Sequence, residues 1–325
     1  VGRVIELLLD NRNGNIIDIS DLAGAITWKT QRIGKAGTIE FDYLPTGEFT
    51  VNSGDVLRLE VFNQNVFYGY CFEESYTKKN QKKGLKIYDQ LRYLMAKDTY
   101  VFINKTATQV IQQIAQDFEL KIGTLEDTGY VIPTHVGEDK KLLDIIYEAI
   151  DKTLIATGRT YVFYDDFGLL NLRSIDNLKQ NIVVDGDSNL MDFTYRKSID
   201  SDTYNRIKLV QNNKEAGKRE VYIIQDSQTI AKWGLLQYYQ SVDENMNKAQ
   251  IKEMSENLLK VKNKETKTLK VDVIGTDPAE VNLRAGAGLF INIQELGFNQ
   301  FFLIDEATHK FANGEHTFNL ALKVV

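Results

Sequence analysis

Cysteine, proline and histidine are scarce in this chain of 325 residues, which holds 1 Cys, 3 Pro and 3 His. The lone Cys71 excludes an intrachain disulfide and any cysteine-built zinc site. It lies in the strand-like run YGYCFE, where a buried or half-buried thiol is expected. So little proline leaves no Pro-rich tether, and closely packed domains are expected. No stretch approaches the roughly eighteen apolar residues of a membrane-spanning helix. The opening VGRVIELLLDN lacks the basic segment, apolar run and cleavage motif of a secretory signal, so synthesis in the cytoplasm is the expectation.

Positive charge is also in short supply, since the net charge is -6. That argues against a sequence-specific nucleic-acid binder, whose backbone contacts need a basic surface. The lysine cluster KKNQKK at 78–83 reads as a solvated loop. Catalytic signatures are missing as well: there is no GxSxG, no GxxxxGK[ST], and the GAG of LRAGAGLF precedes a strand rather than a helix. His309 and His316 flank the turn FANGE, and Asp305 lies close by in sequence. A metal site there is the lesser reading, because the spacing fits no ligand motif and polar residues on one strand face are ordinary. No cofactor and no metal are expected.

What the chain has in quantity is strand pattern and aromatic side chains, with 16 Phe and 16 Tyr. Residues 1–90 alternate in the manner of an antiparallel sheet: VIELLLDN, GTIEFDYL, DVLRLEVF, NVFYGYCFEE and GLKIYD. Short turns such as NRNGN suggest a sheet that closes into a small barrel. The period then changes. Val110, Ile111, Ile114, Ala115 and Phe118 recur at helical spacing, as do Leu142, Leu143, Ile146 and Ile150. The runs around DDFG at 165–168 read as a hairpin, so 91–190 is expected to be a small α+β domain. Residues 191–226 and 264–325 return to strand pattern and are expected to form a second barrel, with 227–263 as a helical insertion. The expected class is α+β, mainly antiparallel β, with two similar small β-barrel domains.

One internal match supports two similar modules. VNSGDVLRLEV at 51–61 aligns without gaps on LRAGAGLFINI at 283–293. Gly54 then falls on Gly286 and Leu57 on Leu289, as corresponding turn and core positions of the two barrels. After a turn two residues longer, Phe67 and Tyr68 fall on Phe301 and Phe302. Two aromatic-rich stretches are candidate domain or subunit interfaces: Tyr93 and Leu94 at one junction, and Trp233, Leu236, Tyr238 and Tyr239 in WGLLQYYQSV. Core packing is the plain alternative for both.

Five long blocks carry a resemblance: YDQLRYLMAKDTYVFINKTATQVIQQIAQDFELKIG (88–123), WGLLQYYQSVDENMNKAQIKE (233–253), TLKVDVIG (268–275), LRAGAGLFINI, and FFLIDEATHKFANGEHTFNLAL (301–322). They resemble the tail-hub proteins of Gram-positive contractile-tailed phages, defective prophages and phage-tail-like bacteriocins. The resemblance implies a ring-shaped homotrimer with two barrels per subunit, placed between a sixfold tail tube and a threefold central spike, beside other baseplate proteins. It implies no catalysed reaction and no membrane. The chain would be made in the host bacterial cytoplasm and assembled into a tail baseplate. The competing readings are a carbohydrate- or peptidoglycan-acting enzyme on a β scaffold, which needs facing carboxylates, and a soluble binding module with an exposed aromatic groove.

Overall fold

The computed structural model describes residues 4–47, 49–186, 188–213, 218–242, 244 and 246–324. The first segment is all strand: β1 (Ile5–Asp10), β2 (Ile16–Asp18), β3 (Ile26–Gln31), β4 (Thr38–Tyr43), β5 (Val56–Val61), β6 (Gln64–Thr77) and β7 (Lys82–Tyr88). The middle segment holds β8 (Lys97–Lys105), α1 (Ala107–Asp117), β9 (Ile122–Leu125), β10 (Ile132–Lys141), α2 (Leu142–Thr157), β11 (Tyr161–Asp166) and β12 (Leu169–Ser174). Then come β13 (Lys179–Asp185), β14 (Leu190–Ser198), β15 (Arg206–Asn213), β16 (Lys218–Gln225), α3 (Ser227–Trp233), β17 (Gln237–Val242) and α4 (Lys248–Lys262). β18 (Thr266–Ile274), β19 (Gly288–Ile293), β20 (Phe298–Ala312) and β21 (Glu315–Val324) complete the chain.

The expected two barrels are not there. Among the described residues no sheet closes on itself. Strands from both ends of the chain form one open 13-stranded sheet in the order β14-β18-β21-β20-β3-β4-β7-β6-β5-β1-β2, with β19 between β13 and β20. Closing the first run would require β3 to meet β5. Instead β3 pairs with β20 and β5 with β1. In the second run β19 is taken by β13. Short hairpins dictate which neighbours are antiparallel; they leave open what the first and last strands of a run do. The class is therefore α+β and mainly antiparallel β, with an open sheet.

Within that sheet one strand order occurs twice. β3-β4-β7-β6-β5 and β14-β18-β21-β20-β19 have the same succession along the chain and the same antiparallel pairings. β5 and β19 share the burial pattern buried, buried, partial, buried, partial, buried. Leu57 and Leu289 are both fully buried, each in a separate apolar core. Each fully buried leucine of this kind contributes about 1.5–3 kcal/mol over its exposed state.

The insertion also differs from expectation. QYYQSV is strand, and β17 joins β15 and β16 in a separate three-stranded sheet under α4. Gly234, at φ 79°, ends α3 after seven residues, and the following residues alternate between partly buried and exposed with period two. α1 and α2 pack on a third core with β8–β12, and α1 is closed by a capping box of Thr106 and Gln109. No helix among the described residues is long and apolar enough to cross a membrane.

Candidate interaction surface

β6 builds the most distinctive surface. Phe67, Gly69 and Cys71 face one core, so Tyr68, Tyr70 and Phe72 project from the other face by strand alternation; Phe72 is exposed, while Tyr68 and Tyr70 are partly buried, Tyr68 against Phe167 at 5.8 Å. The side chain of Asp89 accepts hydrogen bonds from the Gly37 and Leu91 amides, which turns the chain sharply after β7. That turn sets Tyr93 against the stripe, 5.4 Å from the Tyr70 ring and 5.7 Å from Phe72. Tyr88 closes the group edge-on to Phe72 at 5.4 Å. Cations cover it: Arg12 lies 5.0 Å from the Tyr70 ring, Arg92 5.2 Å from Phe72 and Arg58 5.9 Å from Tyr68. Each ring pair or cation–ring pair contributes of order 1 kcal/mol, so the stripe is held in place by contacts within the chain. Arginine and tyrosine presented rigidly at a surface are the residues that dominate protein interfaces. The alternation Tyr68, Tyr70, Phe72 was visible in YGYCF, and it is the signal that sequence reasoning passed over.

The candidate residues separate into groups. Tyr93 is exposed in the stripe, whereas Leu94 beside it is fully buried in the middle core. Trp233, under Lys232 at 5.3 Å, and Leu236 lie on the insertion. Tyr239 is exposed, with its hydroxyl 2.6 Å from Arg219 Nη2, while Tyr238 packs edge-on to Tyr204 at 5.3 Å. Gly54 and Gly286 sit in turns of the same build. Their φ angles are 90° and 93°. Gly54 donates to the Cys71 carbonyl and Cys71 to that of Asp55; Gly286 donates to Ile304 and Ile304 to Ala287, all at 2.8–2.9 Å. The outgoing strands run one residue away from the expected alignment. A bulge at Val66 makes Tyr68, not Phe67, the counterpart of Phe301, since Arg58 faces Tyr68 as Phe290 faces Phe301.

Several titratable groups are buried. Asp89 and Asp165 share a pocket with the Arg284 guanidinium nearby; burial raises both carboxyls, Asp165 to about 6. Asp165 Oδ1 accepts from the Gly168 amide within the DDFG hairpin. His309 Nδ1 and His316 Nε2 are 2.9 Å apart, and His309 Nε2 bonds the Leu283 carbonyl. Burial pushes these imidazoles down to about 3 and about 4, so both are neutral at pH 7. Asp305 does not join them, because its carboxylate takes Arg32 at 2.6 Å. No group of three or more potential metal ligands occurs among the described residues. Cys71 is buried and its thiol is pushed up to about 11, which suits packing rather than nucleophilic chemistry. A groove of about 300 Å³ between the sheet and the middle segment is lined by Trp28, Tyr164, Arg284 and Gly286, with Asp166 as the one carboxylate among its lining residues.

This architecture is that of tail proteins. Over 97–99% of both chains it matches the tail protein of Neisseria meningitidis MC58 (TM-score 0.73, 12% identity). Over 98% of both it matches the 43 kDa tail protein of prophage MuSo2 from Shewanella oneidensis (TM-score 0.70, 13% identity). It also matches the Escherichia coli c3393 protein, a type VI secretion component described as similar to T4 tail proteins gp27 and gp5 (TM-score 0.58, 10% identity, 98% of this chain and 77% of that one). The chain belongs to the YqbQ-like family, which it matches over residues 26–323. It is 31% identical to YqbQ and 30% identical to XkdQ of the phage-like element PBSX, both of Bacillus subtilis (strain 168), each over 84% of this chain and 82% of the relative. It is thus a relative of structural proteins of phage tails and tail-like particles.

Proposed function

We propose that the protein is a structural component of the baseplate of a phage tail or tail-like particle, and that its role there is that of the hub. Made in the host bacterial cytoplasm, it assembles as a homotrimeric ring that joins a sixfold tail tube to a threefold central spike, beside other baseplate proteins, and it catalyses no reaction. The observation that carries this reading is the strand order that occurs twice in one chain, with the same glycine turn and burial pattern each time. Three copies present six such runs, so a threefold ring can offer a sixfold partner nearly the same surface six times. The kinship with XkdQ and with tail proteins sets the class of particle. On this reading the exposed end of the stripe, Phe72 and Tyr93, and the insertion surface around Trp233, Leu236 and Tyr239 are docking surfaces for tube, spike or neighbouring baseplate proteins.

The test is the mass of the purified protein, alone and with its candidate spike protein, followed by imaging of the assembly. Three chains in a ring with a central opening are expected. A protein that stays monomeric with its spike partner, or a ring of another stoichiometry, removes the hub reading.

A further inference from the structure

The two runs of the sheet are joined by β20 and β3, from Glu306 opposite Gln31 to Phe311 opposite Ile26. β20 holds in the second run the place that β6 holds in the first, and β3 holds in the first the place of β14 in the second. The correspondence extends to single residues. Cys71 faces Ile87, which faces Ile39, which faces Trp28; Ile304 faces Leu322, which faces Leu269, which faces Tyr195. Both long strands are bulged at the same point, between Cys71 and Glu73 and between Ile304 and Glu306.

One end of this pattern is unmatched. Beyond its bulge β6 pairs only with β7, and β14 pairs only with β18, among the described residues. These open edges are the counterparts of the two strands that are joined within the chain. We propose that β6 of one copy pairs antiparallel with β14 of a second copy, in the register of the β20–β3 joint. The proposal rests on the self-assembly reading above and gives it a contact. In that register Tyr76 stands opposite Tyr195, as His309 stands opposite Trp28 with rings 4.9 Å apart. Thr77 stands opposite Thr194, and Glu74 opposite Lys197.

Burial and charge agree with this pairing. Where the joint is formed, His309 is 0% and Trp28 3% exposed; at the open edges Tyr76 is 60% exposed and Tyr195 only partly covered. Glu74 stands directly opposite Lys197 and Glu73 is diagonal to Arg196, charges of opposite sign across strands, although within one copy Glu74 also takes Lys83 and Lys197 takes Glu265. A long unpaired strand edge is otherwise an aggregation hazard, and pairing disposes of it. The two edges are different strands, so the contact is head-to-tail and propagates around a ring rather than stopping at a dimer.

Disulfide trapping tests it, with Thr77→Cys and Thr194→Cys combined in the full chain, both positions being exposed. Oxidation is expected to give reducible multimers on denaturing gels, while a mixture of the two single variants gives dimers only. A control pair, Thr77→Cys with Ser198→Cys, lies four residues out of register and is expected to link at least tenfold less. Equal linking by the control, or none above the single variants, overturns the proposal. The mass of the same samples separates the two readings. A trimer that does not link removes the strand pairing and keeps the hub; linking in an assembly that is not trimeric keeps the pairing and removes the trimer.

Discussion

At the scale of single residues, Gly54 and Gly286 share a positive φ but differ in what surrounds them. A Cβ on Gly54 meets nothing within 4 Å, whereas one on Gly286 lies 2.3 Å from Val162 Cγ1. Gly54→Ala therefore bears only the left-handed backbone penalty, about 1–2 kcal/mol. Gly286→Ala adds a clash with the middle segment and is expected to cost roughly twice as much; urea unfolding of the two variants reads the difference, and equal losses would refute it. Asp165 gives a pH-dependent case. Its folded pKa, about 6, exceeds the ordinary 3.8, so the folded state holds the proton longer and stability falls as pH rises through that window. Asp165→Asn removes the charge. Relative to wild type it is expected to gain roughly 1–3 kcal/mol on going from pH 4 to pH 8, as measured by denaturant titration at each pH. A pH-independent difference would mean that the carboxyl is not held neutral.

At the scale of elements, much was legible. The alternation in DVLRLEV and GLFINI set strands with one buried face, and the 3.6-residue spacing of Val110, Ile111 and Ile114 set α1. The DDFG turn formed its hairpin because Phe167 and Gly168 both take positive φ, the conformation such two-residue turns require. Less was legible where period gave no vote on partners. QYYQSV was expected within the helical insertion; Gly234 ends α3 before it, and its period-two burial makes it a strand. The slip between Phe67 and Tyr68 came from a bulge, which adds one residue to a strand without changing its composition. Closure was the largest miss. The strand that ends a run is not marked in its own residues, and β3 met β20, far away in sequence, rather than β5. Of the surface stripe, only the outward aromatics of β6 could be read; Arg12, Arg92 and Tyr93 reach it through turns that alternation does not encode.

At the scale of the whole molecule, the segment from 199 to 265 stands apart from the sheet that carries the proposed ring contact. Its two ends leave β14 and β18 at residues that already face each other, Ser198 and Thr266. The ends are also tied together: Thr203 Oγ1 donates to the Lys264 carbonyl, and the Tyr204 amide to that of Lys262. At the equivalent point of the first run, β3 and β4 are joined by the short loop 32–37. Replacing 199–265 by a loop of that length therefore asks little of the sheet, because a hairpin connection suffices there. The cost falls on α2, whose Ile155 shares a core with Ile207, Leu209, Ile251 and Leu258 of that segment. Exposing it is expected to lower stability by about 1–3 kcal/mol without unfolding the chain. Circular dichroism should keep its strand signature and a single, lower thermal transition. The same variant, bearing Thr77→Cys and Thr194→Cys, should still form disulfide-linked multimers, since neither strand of the proposed contact is removed. Loss of the strand signature would show that the insertion is integral to the sheet; retained folding without cross-linking would place the copy-to-copy contact on Trp233, Leu236, Tyr238 and Tyr239 instead.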